Sequence, residues 1–175
     1  MLDKIRSQLV KNAAQILRSP VHFLPTKIQN RALLEGLKTV FKEALEDGDF
    51  EFLEEKWLKV HIRDLNLSWY ISYCDEQLVV SDTVQQEDVS FSGNLNDLVL
   101  IAGRKEDPDT LFFQRRLSIE GDTELGLEVK NLMDSVDLDA LPKPMLSALT
   151  HLADFVYKGM QPSTNPNEVA NAYSN

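Results

Sequence analysis

The sequence predicts an α+β protein, a five-stranded, mostly antiparallel sheet covered by helices and preceded by an N-terminal amphipathic helix. Three observations predict it. Apolar residues recur at three- and four-residue spacing near both ends of the chain. The period changes to two between residues 57 and 93. A further alternating segment, residues 117–120, then follows a helix. Helices grouped around grouped strands put the helices over one face of a sheet.

Residues 2–18 read as the first helix, with Leu2, Ile5, Leu9, Ala13, Ile16 and Leu17 as its apolar stripe and Pro20 expected to stop it. Pro25 and Thr26 open a second helix to about Asp47, with Gly48 as a C-terminal cap. Its apolar face carries Leu33, Leu37, Val40, Phe41, Ala44 and Leu45. Leu58, Val60 and Ile62 alternate in the first strand, and Leu67, Trp69, Ile71 and Tyr73 in the second. The segments EQLVVSD and DVSFSG supply two more, and the short polar separators suggest a four-strand antiparallel meander. Asn94 is positioned to cap a helix bearing Leu95, Leu98, Val99, Ile101 and Ala102. EDPDTLFFQR is a turn into a short helix, and RLSIEG a fifth strand. Asp122 or Thr123 caps a helix with Leu125, Val129, Leu132, Met133 and Val136 on one face. Pro142 or Pro144 starts the last helix, which Gly159 ends. The expected organisation is a basic amphipathic helix at 1–20, one domain at 25–158 and a disordered tail at 159–175.

Charge narrows the function classes. The chain has 175 residues and a formal net charge of −10, which argues against nucleic acid as a partner. The first 31 residues carry Lys4, Arg6, Lys11, Arg18, Lys27 and Arg31 against Asp3 alone, so the acidity belongs to the remainder. No apolar run approaches the roughly 18 residues that span a bilayer. The N-terminus lacks the uninterrupted apolar stretch of a signal peptide. With Cys74 the only cysteine, no intramolecular disulfide can form, and a reducing cytoplasm is expected.

The search for chemistry yields little. There is no glycine-rich phosphate loop, GxSxG or HExxH. His22, His61 and His151 have no metal-ligand spacing, and His61 is expected to face solvent on a strand. Cys74, at the end of an apolar strand, is expected to be buried and inert. Asp107, Asp109, Glu120, Asp122 and Glu124 form the densest acidic group; turn and capping roles explain them better than acid–base work. Arg104, Lys105, Arg115 and Arg116 bracket Leu111, Phe112 and Phe113, a pattern equally compatible with a pocket mouth and with core beside a solvated rim. Gly126, inside a helix, marks close approach either of another element or of a ligand. No catalytic residue, metal or cofactor is expected.

The block RKEDPDTLFFQRRLSIEGDTELGLEVKNLMDS, residues 104–135, resembles the signature of the sterol carrier protein type 2 superfamily. DPDTLFFQRRL, EGDTELGL and VKNLMD are similar to its bacterial UbiT (YhbT) branch, as are FEFLEEKWLKVHIRDL upstream and LADFV downstream. The resemblance covers roughly residues 1–158. It implies helices and a five-stranded sheet enclosing an apolar lipid tunnel. It also implies a non-catalytic accessory factor of oxygen-independent ubiquinone biosynthesis. Such a factor holds polyprenylated quinone intermediates for UbiU- and UbiV-type hydroxylation proteins and other enzymes of that pathway. A general phospholipid or acyl-lipid carrier, or a scaffold without lipid, is the alternative.

The expected lipid-binding residues are Leu98, Ile101, Leu111, Phe112, Leu125, Gly126, Leu132, Met133 and Leu149, on converging apolar faces. The first helix is expected to meet a membrane surface transiently through Leu2, Lys4, Ile5, Leu9, Lys11 and Ile16. The competing reading of that stripe is packing on its own domain. The expected location is the cytoplasm, with peripheral contact at the inner membrane, and a homo-oligomer is also compatible with the sequence.

Overall fold

The computed structural model describes residues 2–161, with side chains from residue 4 onward. Two short helices, α1 (Leu2–Lys11) and α2 (Ala13–Phe23), precede α3 (Thr26–Val40) and α4 (Lys42–Glu46). The strands are β1 (Leu58–Ile62), β2 (Leu67–Cys74), β3 (Gln77–Ser81) and β4 (Val89–Gly93). Then come α5 (Leu95–Ala102), α6 (Pro108–Phe113), β5 (Leu117–Gly121), α7 (Thr123–Ser135) and α8 (Lys143–Met160).

The strand order is β3-β2-β1-β4-β5. Three neighbouring pairs are antiparallel and the central pair, β1 with β4, is parallel. The expected meander is therefore wrong at its fourth strand. Residues 82–88 carry the chain back past β2 to the far side of β1, and Asp88 fixes the return. The Trp57 N–H donates to its carboxylate (2.8 Å), and the Asp88 N–H donates to the Trp57 carbonyl (3.0 Å). The same residue explains the IEGD turn. The Asp122 N–H donates to the Asp88 carbonyl (3.0 Å), and Gly121 has φ +106. A Cβ at 121 would stand 2.4 Å from the Asp88 oxygen, so only glycine can leave the sheet there.

Alternation divides the sheet into two faces. Ile71, Leu58 and Val89 lie across the inner face in register, as do Val60 and Phe91. Leu53, Leu111, Leu117, Val129 and Leu132 complete this main core. The outer face is polar. His61 lies on it as expected, but half-buried, with Nδ1 2.8 Å from Ser68 Oγ and 3.0 Å from the Leu67 carbonyl. Cys74, expected to be buried, is exposed, because alternation turns it away from Tyr73 at the strand's end.

Several helix boundaries also differ. The first helix breaks at Asn12, where the backbone leaves the helical region (φ −102, ψ 7). Pro20 lies inside α2 rather than ending it. Its missing N–H forfeits one bond, to the Ile16 carbonyl, which water can satisfy on an exposed helix. The second helix is interrupted at Phe41, whose ring turns edge-on to Phe50 at 5.5 Å. Asn94 occupies the cap position of α5 but caps nothing with its own side chain; Asp64 accepts from the Leu95 N–H instead (3.0 Å). Gly159 does not end α8. It lets α1 approach, since a Cβ there would stand 2.4 Å from Val10 Cγ2. Val10, Leu100 and Val156 form a second apolar cluster joining α1, α5 and α8. Of the tail expected to be disordered, 159–175, Gly159 and Met160 belong to α8, because packing against α1 carries the helix on, and residues 162–175 lie outside the described residues.

Candidate functional site: an apolar cavity under the sheet

The helices do not close completely over the inner face. A cavity of about 280 Å³ remains between the sheet, α3, α5, α7, α8 and the segment after α7. Its floor is Leu58, Val60, Ile71 and Phe91 of the sheet. Leu37, Val40, Phe41 and Phe50 form one wall, and Phe50 stacks at 6.5 Å on Tyr73. Leu98, Ile101 and Ala102 come from α5, and Val129, Leu132 and Met133 from α7. Val136, Leu138, Leu141 and Leu149 cover the remaining side.

Eighteen of the nineteen lining residues are apolar, and Arg104 is the exception. Such a void offers water almost no hydrogen bonds, so hydrocarbon is its natural content. Arg104 has φ +54, and its guanidinium donates to the carbonyls of Asp134 and Val136. It thereby ties the end of α5 to the C-terminus of α7, where unpaired carbonyls favour a cation. Next to it in sequence, Lys105 pairs with Asp154 (2.6 Å) and joins the same loop to α8. The hydrogen bond from Lys105 holds the Asp154 carboxyl below the usual carboxylate range.

Of the expected lipid-binding residues, Leu98, Ile101, Leu132, Met133 and Leu149 line this cavity. Four do not, each for a physical reason. Leu111 is fully buried in the filled core. Phe112 points away from the cavity and, with Phe113, makes an exposed edge-to-face pair beside Arg63 and Arg115. Leu125 packs against the main core one turn before the cavity begins. Gly126 meets Ile119, 2.9 Å from where its Cβ would stand, so it allows α7 to approach β5 rather than a lipid to pass.

Lys4, Ile5, Leu9, Lys11 and Ile16 are exposed, and the Leu2 side chain lies outside the described ones. α1 nevertheless docks on α8, through Val10, which the expected stripe omitted. The acidic group is dispersed. Asp107 caps α6 (Thr110 N–H, 2.9 Å) and Asp122 caps α7 (Glu124 N–H, 2.9 Å). Asp109 pairs with Lys130 (2.7 Å), which raises the lysine's pKa, and Glu120 accepts from Ser118 (2.9 Å). Among the described residues no group of three or more His, Cys, Asp or Glu could hold a metal ion.

Sequence reasoning missed the sheet floor, the α3 wall and Val136, Leu138 and Leu141. Their apolar periodicity was legible, but periodicity does not separate a side chain that borders a void from one that fills it. It also missed the buried Asp97, which accepts from Arg116 Nε (3.0 Å) and Nη2 (2.5 Å).

Comparison with known proteins agrees with this architecture. The model of the SCP-2 sterol transfer family matches residues 34–134. Proteins of three Escherichia coli strains, described as "Ubiquinone biosynthesis accessory factor UbiT", are 52% identical over 161 residues, 92% of this chain and 92% of theirs. A solved structure described as "UbiJ-SCP2 Ubiquinone synthesis protein" superposes with a TM-score of 0.51 at 17% identity. That match covers 63% of this chain and 97% of the other, and it shows the shared fold.

Proposed function

The chain belongs to the SCP-2 sterol transfer family, in its UbiT branch, and from that premise we propose that it is a non-catalytic lipid-binding accessory factor of ubiquinone biosynthesis. The observation that carries this reading is the apolar cavity with a single cationic residue on its wall. It offers a hydrocarbon chain a dry site and a substrate carbon no nucleophile or base. Each 100 Å² of hydrocarbon removed from water contributes about 2.5 kcal/mol, so micromolar retention needs no polar contact.

The proposed cargo is a polyprenylated ring intermediate of the oxygen-independent route. The protein would hold it for UbiU- and UbiV-type hydroxylation proteins and other pathway enzymes. At about 280 Å³ the cavity is just below the usual size of ligand sites, which run from about 300 to 1,000 Å³. The proposed fit is one end of a long isoprenoid inside, with the remainder outside the cavity. The near-absence of polar groups also favours a second reading, a general phospholipid or acyl-lipid carrier, because such a wall does not discriminate prenyl from acyl chains. No described helix is long and apolar enough to cross a membrane, and the proposed location is the cytoplasm with peripheral contact at the inner membrane.

Native mass spectrometry and organic extraction of the purified full chain test both readings. Prenylated quinone precursors are expected at substoichiometric to equimolar amounts. Phospholipid alone would support the second reading, and a folded protein free of lipid would sink both.

A further inference from the structure

α2 is poorly covered for a helix on a soluble protein: its least exposed residues, Ala13, Ala14 and Val21, are only half-buried. On its helical wheel Ala13, Ile16, Leu17, Pro20, Val21 and Phe23 share one half, and Gln15, Arg18, Ser19 and His22 the other. A surface helix normally turns its apolar half to the core, yet α2 buries no residue. A polar contact helps to hold it: His22 Nε2 lies 3.0 Å from the Leu65 carbonyl. Ile16, Leu24 and Ile28 are about half exposed, and Phe23 is 86% exposed.

The exposed corner is built, not frayed. The Gln29 side-chain amide donates to the carbonyls of Val21 (3.1 Å) and Leu24 (2.9 Å), locking the first turn of α3 to the end of α2. Arg18, Lys27 and Arg31 surround it and are exposed. Fixed apolar tips among cations form a contact surface.

Charge selects the occupant. Residues 1–31 carry one acid among six cations, while the remaining residues are strongly acidic. A second copy's elbow would repel this one. An anionic leaflet attracts the cations at headgroup level, accepts the apolar tips below them and repels the acidic body, which fixes the orientation. We propose that the α2–α3 elbow docks on an anionic bilayer, with Phe23, Leu24 and Ile28 entering the acyl boundary and Arg18, Lys27 and Arg31 meeting the phosphates. Its apolar tips and cations, residues 18–31, precede the span 34–134 that the family model matches. The docking deepens the lipid-carrier reading and rests on it for its purpose alone: cargo loaded from or delivered to the same leaflet.

The test is co-sedimentation of the full chain with vesicles of phosphatidylcholine, alone or mixed with phosphatidylglycerol, at low and high salt. The expected result is binding to the mixed vesicles that salt weakens. Phe23→Ser with Leu24→Ser should lower it by roughly tenfold or more. Arg18→Gln and Lys27→Gln should each lower it by about fivefold at low salt, with little effect at high salt. Circular dichroism and lipid content, read on the same samples, should be unchanged, since none of these side chains is buried or lines the cavity. Equal vesicle binding by wild type and the Phe23/Leu24 variant overturns the proposal. So does indifference to phosphatidylglycerol, or a dimer that the variant abolishes in a chain that ignores vesicles. A chain that binds vesicles but carries no lipid would sink the cargo reading and leave the elbow standing.

Discussion

α2 and α7 have similar amphipathic patterns and opposite fates. α7 buries Gly126, Val129 and Leu132 against the sheet and leaves Met133 on the cavity wall. α2 fully buries no residue, and Ile16, Leu17 and Phe23 of its apolar half stay exposed. The difference teaches that amphipathicity encodes the need for an apolar partner without specifying which one. For α7 the partner is the protein's own sheet. For α2 the proposed partner lies outside the molecule.

The largest expected effect separates the two regions by stability. Leu111→Ala, in the filled main core that α7 also packs against, should cost about 2–5 kcal/mol by urea denaturation. Phe23→Ala on the elbow should stay within about 0.5 kcal/mol of wild type. A cost at Phe23 comparable with that at Leu111 would mean that the elbow is part of the fold's own core.

Gly126→Leu comes next. The added side chain must displace Ile119, so a loss of about 1–3 kcal/mol is expected, with lipid content following the folded fraction. A stable variant that has lost its lipid would return Gly126 to the ligand site.

A cavity substitution is a gentler probe. Leu149→Trp adds volume where there is space, so thermal stability should change by less than about 1.5 kcal/mol while retained lipid falls severalfold. Unchanged lipid content would place the cargo elsewhere.

The smallest effect concerns the half-exposed Lys105–Asp154 pair that joins the loop after α5 to α8. The Asp154 pKa is lowered in the folded state, so its contribution is present above the unfolded value of about 3.9 and is lost as pH falls through the lower folded value. Lys105→Met should therefore differ slightly from wild type at neutral pH and converge with it in acid. Solvent screening keeps the difference small, and a gap that persists at low pH would assign the effect to packing.

Much of the fold was legible because its signals are local. The register of Leu67, Trp69, Ile71 and Tyr73, the cap at Asp122 and the start of α3 at Thr26 each follow from a few neighbouring residues. The candidate site was legible only in part. Leu98, Ile101, Leu132, Met133 and Leu149 could be named from converging faces, but Leu111 and Leu125 have the same periodicity and fill space instead of bordering it. The resemblance of residues 104–135 pointed to an enclosed lipid, and its motif acts through structure: Gly121 clears the Asp88 carbonyl and Asp122 caps α7.

The sequence by itself determined the element types, the polar and apolar faces and the separation of a basic N-terminus from an acidic body. Alternation, capping and charge are properties of neighbours along the chain. The tertiary structure alone decided that β4 returns to pair with β1, that Val10 rather than the expected stripe anchors α1, and that a void remains above Phe91. Each depends on residues far apart in sequence: Trp57 bonded to Asp88, Val10 packed on Gly159, Leu37 and Leu149 bordering one cavity. A cavity is the space that packed elements fail to fill, so no single element encodes it.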